Sequence, residues 1–140
     1  MEFILSILNI TIYLFLALLH LYWVFGGQLG LTEAVPTNAN GKRVFAPSRL
    51  GTFTVALGLM LFAGVNMGFN GMLKIPVDPV YIKYALWTIS LIFLVRFIGD
   101  FRYIGIAKSF KGSVFACRDT YIYSPLCLLL AISNAIVTVL

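Results

Sequence analysis

Long apolar runs separated by short polar segments dominate this chain. Four stretches, roughly residues 3–25, 50–73, 80–104 and 120–140, are long and apolar enough to be spans, given that about 20 residues at ~1.5 Å rise cross a hydrocarbon core of ~30 Å. The segments between them, GGQLGLTEAVPTNANGKRVFAPSR, KIPVDP and AKSFKGSVFACRD, carry the Pro, Gly and Asn that break helices. The pattern predicts an all-α integral membrane four-helix bundle forming one transmembrane domain over residues 1–140.

Composition agrees with the pattern. The chain is 61% hydrophobic and only 11% charged, against about 25% charged in a soluble domain. A net charge of +5 would suggest nucleic acid in a soluble protein, but no basic nucleic-acid module is present and the cations are sorted along the chain. Lys42, Arg43, Arg49, Arg102, Lys108, Lys111 and Arg118 fall on the side of the first and third connections, whereas Lys74 and Lys83 fall on the other. The positive-inside rule then places both long connections in the cytoplasm and both termini on the extracytoplasmic side of a cell membrane. The first run lacks a cationic leader and ends in HLYWVFGG, so it reads as a retained span rather than a signal peptide.

With that orientation, every helix brings polar residues to one end. His20, Tyr22 and Trp23 close the first, Ser48, Arg49 and Thr52 open the second, Arg96, Asp100 and Arg102 close the third, and Asp119, Tyr121 and Tyr123 open the fourth. Within LVRFIGDFRYIG, Arg96 and Asp100 are four apart, which on a helix gives an ion pair on one face. A lone charge at the bilayer centre costs about 2.5–3.5 kcal/mol, so Arg96 is expected to face inward. Two readings follow. In one, the pair staples helices together through His20 or Tyr121. In the other, the cluster lines a ligand cavity, with Arg96 and Arg102 on an anionic head group, Asp100 orienting them, His20 as acid or base, and Tyr22, Trp23, Asp119 and Tyr121 completing the site.

Other chemistry finds little support. His20 is the only histidine, which argues against a metal site. Cys117 and Cys127 lie ten residues apart, about 15 Å along a helix and beyond disulfide reach. There is no Cys-x-x-Cys, Walker loop, dinucleotide fingerprint or nucleophile elbow, so no cofactor is expected.

The second helix carries Gly58 and the series Gly64, Gly68 and Gly71, a face that permits close helix packing within the bundle or in a homodimer. Asn66 and Asn70 are expected to hydrogen-bond across helices with Asn9 and Asn134. Asp119 is the expected N-cap of the fourth helix, and Pro125 is expected to bend it, freeing the carbonyl of Tyr121. The first connection, with its NANGK turn, is placed to hold a short hairpin or to dip toward the cluster as a lid.

HLYWVFGG, PSRLGT, RFIGDFRYIG with its basic loop, and DTYIYSPLCLLL together resemble a small bacterial family of four-span membrane proteins of unknown function (DUF3995-like), over nearly the whole chain. The resemblance implies a bacterial inner-membrane location and no particular activity. Three functions are carried forward: a site for an anionic lipid or other amphiphile, a small transporter or channel, and an accessory subunit whose polar cluster only fixes helix register.

Overall fold

The computed structural model describes all 140 residues. The element order is α1 (Glu2–Val24), the short α2 (Leu31–Ala34), α3 (Arg49–Phe69), α4 (Pro79–Ile98), the short α5 (Val114–Arg118), a π-helical turn (Asp119–Tyr123) and α6 (Ser124–Val139). Helices α1, α3 and α4, together with the continuous run Val114–Val139, are long and apolar enough to cross a membrane. The chain is all-α, with one isolated backbone bridge between Thr37 and Arg43 in the first connection. It is a multi-pass membrane protein.

Local chemistry sets the helix starts. Ser48 Oγ accepts from the N–H of Gly51, and Asp78 Oδ1 accepts from Val80 ahead of a proline in the first turn of α4. Helix α1 packs mainly on α3 and α4 mainly on α6, and the two pairs meet more sparsely through α1–α6 and α3–α4. At mid-depth they are joined by aromatic rings. Tyr13 stacks on Phe93 at 5.7 Å and meets Phe62 edge-on at 5.8 Å, geometries that favour the ring quadrupoles.

Between this aromatic layer and the termini lies a buried polar layer. Asn66 Oδ1 accepts from Ser6 and Asn9, while its amide donates to Asn134 Oδ1. Asn134 in turn donates to the Tyr13 hydroxyl at 2.6 Å, and Ser133 donates to Asn9 at 2.6 Å. The three asparagines thus bond across helices as their spacing suggested. Each such bond in lipid contributes about 0.6–2 kcal/mol. Asn70 does not join, because it sits at the C-cap of α3.

The helix ends differ from those read in the sequence. α4 stops at Ile98 rather than near residue 104, since Gly99 takes φ +86 and turns the chain away. α3 stops at Phe69. Gly71 therefore lies in a turn at φ +69, Gly68 sits against Ile75 of the following loop, and Gly58 and Gly64 keep open space on the helix. The fourth span begins at Val114 with Ser113 as its N-cap, accepting from Ala116, so Asp119 is interior and not a cap. The π turn precedes Pro125 and brings the N–H of Ser124 to the carbonyl of Asp119, five residues back. This widened turn accommodates the proline and rotates Asp119 inward.

Candidate ligand site

The segment after α4 is a compact loop with unusual backbone angles, φ +86 at Gly99, +63 at Phe101 and +89 at Gly105. Asp100 organises it. Its Oδ1 accepts from the N–H groups of Arg102 at 2.9 Å, Tyr103 at 2.7 Å and Ile104 at 2.9 Å. The loop closes back on α4 through Ile106 N–H to the Phe97 carbonyl at 2.8 Å. Partial desolvation pushes the Asp100 carboxyl upward, but the three backbone donors outweigh it and hold the group below the ordinary carboxylate value. The depressed value gives a stabilisation that is complete above the unfolded carboxylate value, about 3.9, and lost as pH falls through the lower folded one. The melting temperatures of wild type and Asp100→Asn are therefore expected to differ at neutral pH and converge on acidification below that range; a constant gap across pH would rule out the charged form as the organiser.

The loop serves to present Gly105. Its N–H donates to Asp119 Oδ2 at 2.7 Å, and its carbonyl accepts from Lys108 Nζ at 3.0 Å. Lys108 is 3% exposed, and its ammonium also reaches Asp119 Oδ2 at 3.1 Å and Thr120 Oγ1 at 2.7 Å. All three donors of the lysine are thus used. On the other side of the carboxylate, Arg96 Nη2 donates to Asp119 Oδ1 at 2.8 Å. Asp119 is fully buried. Two cations converge on one carboxylate, which leaves an excess of one positive charge.

This arrangement corrects the expected Arg96–Asp100 pair. Four-residue spacing joins side chains only while the helix continues, and α4 ends between the two residues. Arg102 is likewise outside the cluster, exposed with its guanidinium 5.2 Å from the ring of Tyr103. Tyr121 is 77% exposed and points away. Tyr22 is also exposed, with its ring against Gly27. Of the residues singled out from sequence, His20, Trp23 and Arg96 line both parts of a common cavity, Ser48 and Thr52 one part and Tyr123 the other, and Asp119 stands behind them as the counter-ion of Arg96.

That cavity has two lobes of about 550 and 730 Å³, which share His20, Trp23, Ala34, Val55, Arg96 and Phe115 in their walls. The smaller lies under the first connection, between Val35 and Ser48; the larger runs between the helices to Leu59, Phe62 and Phe93. Both linings are mostly apolar. The connection dips over the cluster as its position suggested, and Trp23 Nε1 holds it by donating to the Leu29 carbonyl at 2.8 Å. His20 Nδ1 donates to the Leu16 carbonyl at 2.7 Å, so the neutral ring keeps Nε2 as an acceptor. Arg96 Nη1 is buried without a hydrogen-bond partner. No three His, Cys, Asp or Glu side chains come together as a metal site would require.

Lys108 and Gly105 were missed as members of the cluster, and Phe115 as part of the cavity wall. Lys108 reads in sequence as one more cation of a basic loop; only the fold of residues 99–105 turns it inward, and no spacing rule encodes that.

A family model described as "Protein of unknown function (DUF3995)" matches residues 13–134. The chain belongs to that family. No curated protein and no solved structure matches it.

Proposed function

We propose that this member of the family holds an anionic amphiphile, its head group on Arg96 and its tail in the larger lobe between the helices. The observation that carries the reading is the state of Arg96. One of its terminal nitrogens is engaged by Asp119, the other is buried with no partner in the wall of an apolar cavity, and the local charge is in excess by one. A buried donor left unmade costs about 1–3 kcal/mol, more for a charged group. A singly charged ligand oxygen satisfies both the nitrogen and the charge. His20 Nε2 stands in the same wall as an acceptor for a head-group hydroxyl or acid. By the cation distribution, this end faces the cytoplasm, in a bacterial inner membrane by the family resemblance.

The reading separates two roles that the sequence merged. Asp119 and Lys108 fasten the loop to the fourth span, whereas Arg96 is the group left over for a ligand. Arg96→Gln is accordingly expected to stay folded, because Asp119 keeps Lys108 and the Gly105 N–H, and to lose a bound anionic lipid or metabolite that wild type carries. Native mass spectrometry with lipidomics on gently solubilised protein reads both. Equal ligand occupancy in folded Arg96→Gln and wild type would exclude the site.

A further inference from the structure

We infer that the cavity is loaded sideways from the bilayer, through a gap between α3 and α4 at the level of Gly58, by an amphiphile with a single chain. The inference rests on the ligand reading above and adds its route and the shape of what enters. α3 and α4 are joined at the end remote from Arg96 and approach each other far less closely than α1 and α3 or α4 and α6. Val55 and Gly58 on α3 and Ile92 on α4 line the larger lobe. Val55 and Ile92 are nevertheless 47% and 45% exposed, so they belong to the cavity and to the lipid-facing surface at once. Gly58 lies one turn from Val55, and a methyl group added there would meet nothing within 4 Å.

An opening edged by apolar side chains, at a depth where the surroundings are hydrocarbon, admits a chain already dissolved in the membrane without exposing it to water. The occupant is matched at three points. Its tail passes a gap with room beside a glycine, its single negative charge equals the excess at Arg96 and Lys108 over Asp119, and the larger lobe lies in the ~300–1,000 Å³ range that encloses one small ligand. A fatty carboxylate and a single-chain phosphodiester lipid share this chemistry.

Trp23 lines both lobes and is one of two tryptophans; the other, Trp87, is exposed on α4. In a Trp87→Phe background reconstituted in nanodiscs, a fatty acid brominated along its chain is expected to quench Trp23 saturably. Arg96→Gln should abolish the saturable part. Gly58→Phe and Ile92→Phe narrow the gap and leave Arg96 in place, and each should slow the quenching in stopped flow by about tenfold or more. Relief of that quenching by unbrominated lysophosphatidylglycerol would identify the diester source, and its failure to compete the carboxylate. If either folded gap variant loads at the wild-type rate, the lateral route is overturned while the ligand reading stands. If Arg96→Gln is quenched like wild type, both fall.

Discussion

Asp119→Asn is expected to destabilise the protein by about 3–5 kcal/mol, the range for removing one member of a buried ion pair. The carboxylate is fully buried and is the anion paired with Lys108, whose side chain is 1% exposed. Asparagine fills the same volume and can still accept from Gly105, so the loss measures charge rather than packing. Adding Lys108→Met returns the local excess to one positive charge, as in wild type, and the double variant is expected to recover much of the stability. Thermal denaturation in detergent gives the cycle. A double variant no more stable than Asp119→Asn would show that the pairing of these two residues is not what holds the fourth span to the loop.

The second large effect belongs to Gly105. Its φ of +89 costs a residue with a side chain about 1–3 kcal/mol, and a methyl group there would collide with the carbonyl of Ile98 and the backbone of Gly99. Gly105→Ala is thus expected to cost about 2–4 kcal/mol by combining the two effects. It also displaces the N–H and carbonyl that meet Asp119 and Lys108. Gly41→Ala supplies the contrast, since Gly41 has φ +72 and open space around it, so only the conformational cost of about 1 kcal/mol applies. Equal melting temperatures for the two alanine variants would remove the case for a backbone wedge at Gly105.

These two sites show where the sequence was legible. Four apolar runs of spanning length can be read directly, because in lipid every backbone group must be satisfied within the span and helices are the economical answer. The bonded asparagine layer was also readable, since Asn9, Asn66 and Asn134 have few other ways to lie in hydrocarbon. The ion pairing was not. It depends on α4 ending two residues before Asp100, and that end is made by Gly99 and three backbone bonds to Asp100, a local competition that helical periodicity cannot see. The inward turn of Lys108 depends in turn on that loop, and the burial of Asp119 on a π turn ahead of Pro125. One misplaced helix end therefore exchanged the partner of Arg96 while leaving its inward orientation correctly anticipated.

The stacked rings of Tyr13, Phe62 and Phe93, backed by the asparagine layer, give the cavity a floor. For the proposed ligand, a floor at this depth would confine exchange to the side of the bundle that carries Arg96. Its filling would then follow the abundance of that amphiphile in a single leaflet, making occupancy a gauge of that leaflet's composition.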